Sequence, residues 1–403
     1  MFLQNRSKIT IWQFILLMYC ATWLISPFLV RGTIWRIIML GCTSYFAVSC
    51  SLDKRNGGNR HFLFMLLMIA YIVVVSLLAQ DMYQQRIGTI IFLSLTFLGY
   101  FICNHDIPVF YVKIGMEYVF GVCILSNVIT LRQLALTPDI CRLFAKNVNL
   151  ETFGYHVMRG TGGYSFIYTI LLMLPFALEL ALFERNDKIL QSIAIVFALT
   201  SYMLIFKAAY FLALLLSIAT LFFYLVFKFP NKLKKDRILF FVLLIILLFG
   251  FFDYIVDCVV QFIPIRSIQE KMLSLQSLLN GTEDLQDSEF TTRSERYTRA
   301  LINTLISPLF GWFTYRRTGY HSHLLDFSAQ YGLPLLYGYI QLILNPIRKM
   351  NIFRHPATMT CMIVLGILSL LNSLAFAWGG VLFIFMPMYC FMLEQQQEEI
   401  ILK

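Results

Sequence analysis

Charge is what this 403-residue chain has least of: Asp, Glu, Lys and Arg together make up 13% of it. A soluble domain carries roughly 25%. With 59% hydrophobic residues and a mean hydropathy of +0.72, an ordinary soluble globular domain is excluded and an integral membrane protein is expected. No C-x-x-C spacing occurs among the nine cysteines, and most lie inside apolar runs. That excludes a zinc ribbon or a disulfide framework and leaves the buried small hydrophobe. No internal repeat and no low-complexity segment stands out, which counts against transporter folds built from echoing halves. A cleavable leader pattern is missing too. Residues 1–10 are short and basic (Arg6, Lys8) and run straight into a full-length apolar segment, which reads as an uncleaved first helix. The net charge of +10 is scattered over short loops instead of gathered in a basic block. It fits membrane orientation and anionic headgroups, with no nucleic-acid partner.

What the chain does have is apolar runs. They cover residues 11–30, 33–51, 62–79, 87–103, 107–128 and 163–183, then 189–206, 208–227, 238–256, 324–344, 357–375 and 378–393. Each is close to the ~20 residues that cross a bilayer as helix. The expected fold is therefore all-α and polytopic, a single membrane domain over residues 1–403 with about twelve transmembrane helices. An even count puts both termini on one face. Lys54-Arg55, Arg60, Arg185, Lys188, residues 228–237 and residues 348–354 fall on that face, so the positive-inside rule makes it cytoplasmic. Residues 131–162 and the long segment 257–323 become the outer loops.

Residues 257–323 are the only long polar stretch, a large extracytoplasmic loop expected to carry short amphipathic helices and a catalytic site. Within it, residues 293–307 have helical period. Tyr297, Leu301, Leu305 and Ile306 form one side, with Arg293, Arg296 and Arg299 around the rest. Arg293 and Arg296 are one turn apart and share a face suited to phosphate, although a solvated charged face has the same pattern. His321 and His323 stand where the loop meets the next apolar run. An imidazole there is either a general base or an interfacial cap. His321 is favoured by the pattern around it, His321-Ser322 with Gly332 eleven positions after the histidine. Arg159 precedes Gly162-Gly163-Tyr164 at the mouth of the sixth run, as a phosphate-approach loop or a plain turn. Lys207, the only charge between residues 189 and 227, either snorkels or serves a function. No cluster with metal-ligand spacing is read and no cofactor is expected.

Four of these stretches resemble the membrane glycan polymerase and ligase superfamily, the Wzy-type O-antigen and capsular polysaccharide polymerases and the O-antigen ligases. They are Arg293-Ser-Glu-Arg296-Tyr297-Thr-Arg-Ala300 with Ser307-Pro308-Leu309-Phe310-Gly311, His321-Ser322-x9-Gly332, Arg159-Gly-Thr-Gly-Gly-Tyr164-Ser-Phe-Ile-Tyr168, and Lys207-Ala-Ala. The last departs from the family's usual Ser-Arg. The resemblance covers about residues 159–332. It implies metal-independent, inverting glycosyl transfer at the outer leaflet of a bacterial plasma membrane, from a glycan on undecaprenyl pyrophosphate. Arg159, Arg293 and Lys207 or Arg296 would bind the pyrophosphate, beside Gly162, Gly163, Tyr164 and His323. His321 would activate or orient the acceptor hydroxyl. Candidate partners are membrane lipids, a chain-length regulator and a flippase. Residues 162–168 resemble polymerases more than ligases. A flippase or exporter is the competing reading, and it predicts charges along a mid-membrane path.

Overall fold

The computed structural model describes residues 7–27, 33–52, 58–78, 84–138, 140–141, 160–183, 187–208, 210–228, 289–313, 318–319, 321–348, 355–373 and 375–401, with nine further residues between 254 and 277. Of these, 88% are helical. The helices are α1 (Ile11–Ile25), α2 (Thr33–Leu52), α3 (Gly58–Leu78), α4 (Gln84–Asn104), α5 (Val109–Leu136), α6 (Tyr164–Phe183), α7 (Lys188–Ala208) and α8 (Phe211–Lys228). They continue with α9 (Glu289–Ile306), α10 (His323–Tyr331), α11 (Leu333–Arg348), α12 (Pro356–Leu371) and α13 (Phe376–Gly380). A π-helical turn (Val381–Phe385) then leads into α14 (Met386–Ile401).

Seven helices among the described residues are long and apolar enough to cross a membrane: α3 to α8 and Ala377–Gln395. Three shorter apolar helices, Ile11–Ile25, Ile37–Ser51 and Pro356–Leu371, stand with them. The expected run 238–256 lies almost wholly outside the described residues. Ala377–Gln395 is 89% buried and forms the centre of the bundle, whereas Arg60–Leu78 is 33% buried and lies at its edge. A helix that is apolar all round belongs in the middle, and Phe383, Ile384, Tyr389 and Phe391 are accordingly sealed. Among the described residues, the outward faces of the long helices are largely apolar. Leu66, Leu67, Val74, Leu199, Met203 and Ile218 are exposed, a surface that suits lipid and not water.

The ends of the bundle are distinct. At one, β1 (Ser7–Lys8) pairs in parallel with β2 (His105–Asp106), and Gln395 donates to the Ile107 carbonyl at 3.2 Å. The described parts of both chain ends therefore share this terminal end. At the other, the loop end, Arg86 donates to the Phe313 carbonyl at 3.0 Å, and α9 packs against α10 and bonds through Tyr297 to the end of α12.

Three expectations about boundaries change. α5 continues to Leu136, so the loop expected from residue 131 begins later. Gln133 and Leu134 inside this extension are buried, which a loop would not require. The split near Lys207 is present, but Lys207 belongs to the last turn of α7 and the break follows Ala208. The run 324–344 is two helices, broken at Gly332, whose φ is +84°. Only glycine adopts that backbone at low cost.

Candidate functional site

At the loop end, α9 forms the roof. Its sequence is amphipathic as expected, and the side that packs inward is the one with the small and polar residues. Ala300, Asn303 and Thr304 are buried and Arg293, Arg296 and Tyr297 are partly covered, while Leu301, Ile302, Leu305 and Ile306 are exposed. The polar side is the one with partners in the bundle. Thr304 shares a hydrogen bond of 2.9 Å with Ser328, Tyr297 donates to the Leu371 carbonyl at 2.8 Å, and the Asn303 carbonyl accepts from the Trp312 indole at 2.9 Å. A satisfied buried hydroxyl or carbonyl fixes the roll of a helix, and lipid can take the leucines left outside.

Two glycines explain why the turn after α9 and the start of α10 read as motifs. The Ser307–Gly311 turn lies directly on the end of α10. Leu333 donates to the Pro308 carbonyl at 2.7 Å, Trp312 to the Ala329 carbonyl at 3.0 Å and Phe313 to the Gln330 carbonyl at 2.9 Å. A Cβ on Gly311 would stand 2.4 Å from the Gln330 backbone, and one on Gly332 would stand 2.3 Å from the Leu309 carbonyl oxygen. Both have positive φ. Gly319 makes a similar approach, since a Cβ there would meet the Arg296 carbonyl oxygen at 2.3 Å. Its N–H donates to the buried Asp326 at 2.8 Å. This contact sets the following residues, His321 among them, against α9.

Arg296 consequently reaches His321, its guanidinium bonded to Nε2. Arginine has no acceptor, so the imidazole accepts and its Nε2 presents a lone pair in this contact. Arg293 lies within electrostatic range of the phenols of Tyr164, Tyr168 and Tyr297. Burial pushes the Tyr297 phenol above its ordinary pKa, against the opposing pull of Arg293. Tyr164 bonds to the side-chain oxygen of Asn372, and its ring stands edge-on to Tyr168 and Tyr210 with centroids 4.5 and 5.5 Å away. Asn372 closes the ring of contacts, because its carbonyl accepts from the His323 amide at 3.0 Å.

The structure thus gathers Arg293, Arg296, His321, Tyr164 and the backbone of His323 from three separate parts of the chain. The His323 imidazole turns away from them and bonds to Tyr339 at 2.7 Å. Gly162 donates its amide to Thr130 at 2.8 Å and Gly163 accepts from Ile167 at 3.1 Å, so both shape the entry to α6. Lys207 is exposed at the C-terminal end of α7, where a cation suits the helix dipole, and no described contact joins it to the cluster. Arg159 lies outside the described residues. The sequence reading missed Asn372, Tyr210 and Asp326, although it quoted Tyr168 as a motif position. The first two were absorbed into apolar runs, where a lone polar atom gives no period. The eight described cysteines are all buried.

No protein-family model matches the chain, and no curated protein matches it. What the cluster can do is a matter of its chemistry. Two guanidiniums, three phenols, an amide and an imidazole stand together at one end of an apolar bundle, and the buried Asp326 carboxylate lies within electrostatic range of Tyr297. Such a set stabilises an anion, and the imidazole can orient or take a proton from a hydroxyl.

Proposed function

We propose that the chain is a membrane glycan polymerase of the Wzy type. It would join undecaprenyl-pyrophosphate-linked oligosaccharide repeat units at the outer leaflet of a bacterial plasma membrane. In this reading the loop end faces outward and both termini are cytoplasmic. The observation that carries it is the convergence of Arg293, Arg296 and His321 with Tyr164 at one end of a bundle whose surface is apolar. An anionic, lipid-borne substrate needs that combination.

The acceptor hydroxyl oxygen attacks the anomeric carbon of the donor glycan, the bond from that carbon to the pyrophosphate oxygen breaks, and configuration inverts. The leaving group is already a stable anion, so fixed cations lower the barrier by receiving its growing charge. Arg293 and Arg296 fill that role. Arg296 is bonded to the His321 lone pair. Drawing Arg296 onto a pyrophosphate would release Nε2 to accept the hydroxyl proton, which couples donor binding to activation of the acceptor.

Purified protein in liposomes, given the undecaprenyl-pyrophosphate-linked repeat unit without lipid A–core, tests this. A ladder of glycan lengths is expected, absent in His321→Ala and Arg293→Ala. Transfer only after lipid A–core is added would make the protein a ligase. Intact substrate crossing the bilayer with no new bond would make it a flippase.

A further inference from the structure

Beside the polar cluster lies a cavity of about 190 Å³ between α10, α11, α12 and the central helix. Ile340, Ile343, Met362 and Gly366 line it, and His323, Tyr339 and Ser369 supply its polar side chains. The first two are bonded to each other and Ser369 donates to the Leu365 carbonyl at 2.8 Å, so the wall they present is in effect apolar. The cavity exceeds the ~150 Å³ that is enough to hold a benzene ring in an apolar core. Its lining runs from Ser369 back to Met362, seven residues of α12, which is ~10 Å of helix directed away from the loop end. Ile340, Ile343, Leu344 and Met362 are each partly exposed, so one side is open.

Gly366 is the residue that needs explaining. A glycine inside a helix costs ~0.5–1 kcal/mol relative to alanine. Gly311, Gly319 and Gly332 are held to glycine by backbone that a Cβ would strike, but a Cβ on Gly366 would meet nothing within 4 Å. Gly41 and Gly121 are equally unobstructed, but both sit on exposed faces. At Gly366 what the missing side chain provides is the cavity itself.

We infer that this cavity receives the head-proximal isoprene units of a polyprenyl carrier, the hydrocarbon chain of the same substrate whose pyrophosphate the arginines take. The inference rests on the function proposed above. Position argues for it. The polar end of the cavity is at His323, whose amide is bonded to Asn372 and which is two residues from His321 on Arg296. A head group on the arginines therefore starts its chain at the mouth of the cavity. A glycerophospholipid brings two acyl chains on one glycerol, and the cavity has room for one.

The test uses the full-length protein in nanodiscs with a polyprenyl phosphate carrying a diazirine on its first isoprene units, followed by mass spectrometric mapping. Adducts are expected on α11 and α12. They should be competed by unlabelled undecaprenyl phosphate and not by an equal excess of phosphatidylglycerol. Gly366→Phe should lower labelling at least about tenfold, while Gly366→Ala keeps it. If Gly366→Phe does not fold, Ile343→Phe and Met362→Phe block the same space from two walls. Labelling elsewhere, labelling unchanged by these fillers, or equal competition by phosphatidylglycerol would overturn the assignment, the last by making the occupant a bulk acyl chain. The two proposals fail separately. Labelling that survives in a protein making no ladder sinks the polymerase alone, and a ladder made without labelling of the cavity sinks the cavity alone.

Discussion

The ends of the bundle treat charge in opposite ways. At the terminal end, charge meets charge. Lys113 pairs with Asp187 at 3.2 Å, and Lys228 bonds to Glu179, which also accepts from Tyr224 at 2.7 Å. At the loop end, Arg296 bonds to an imidazole and Arg293 sits among phenols. Cations matched by carboxylates are spent on structure. A guanidinium bonded to a neutral imidazole, as Arg296 is to His321, keeps more of its attraction for an incoming anion, and where water is thin that attraction is large. The contrast marks the loop end as the candidate site without any appeal to sequence likeness.

The most direct way to break the contrast is to remove the loop-end groups. His321→Ala or Arg293→Ala should lower polymerisation in liposomes by about 10²–10⁴-fold, the usual worth of a general base or of one fixed donor to a developing anion. The expected unfolding temperature in detergent is close to that of the parent, because both side chains are partly exposed. An unchanged rate in either variant would place the chemistry elsewhere. Next in size are the glycines that hold the loop end in shape. Gly332→Ala should destabilise the protein by on the order of 2–4 kcal/mol, combining a positive φ with a backbone collision. Gly121→Ala, at an unobstructed helical site, should stabilise it by up to ~1 kcal/mol. Thermal melts of the two variants moving the same way would contradict the packing.

Asn372→Asp sharpens the comparison, because it makes the loop end resemble the terminal end. The carboxylate keeps an acceptor for Tyr164, so the local geometry survives, but it places a negative charge within reach of Arg293 through the Tyr164 contact. Activity should fall about tenfold, equal to ~1.4 kcal/mol, mainly through a higher KM for the anionic donor. A fall in kcat alone would show that Arg293 does not bind the ground-state substrate.

Much of this was legible in the sequence. Apolar runs gave the helices, a lone lysine in forty apolar residues marked the break after α7, and a 3.6-residue period gave α9. The period could not say which side of α9 is buried. In water the leucines would turn inward, but at an apolar surface the polar atoms are the ones that must find partners, and Ala300, Asn303 and Thr304 go in. Gly311 and Gly332 were legible as motif positions, but their reason, a backbone contact between two segments twenty-one residues apart, exists only in three dimensions. Asn372 was illegible because one amide at the end of an apolar helix has no pattern. Lys207 shows the converse, since a conspicuous charge in the sequence can be an exposed helix terminus.

The smallest effect expected is at Lys113. Its side chain is 31% exposed and that of Asp187 18%, so the pair gains little over separate hydration and Lys113→Ala should cost within ~1 kcal/mol of stability. The same substitution in a bundle that used its terminal-end cations for substrate would cut activity. Here it should leave the glycan ladder unchanged in both rate and length distribution. Lys207→Ala is its counterpart at the loop end. It carries a cation of the same sign, exposed, with no described contact to the cluster. If Lys207→Ala also leaves the ladder unchanged, position at the loop end is not enough, and contact with the Tyr164–Asn372–His321 set is what makes a cation functional. If it cuts the ladder while Lys113→Ala does not, the anion site extends across the mouth of α7, and the contrast between the two ends holds over a wider surface than the contacts of Arg293 and Arg296 cover.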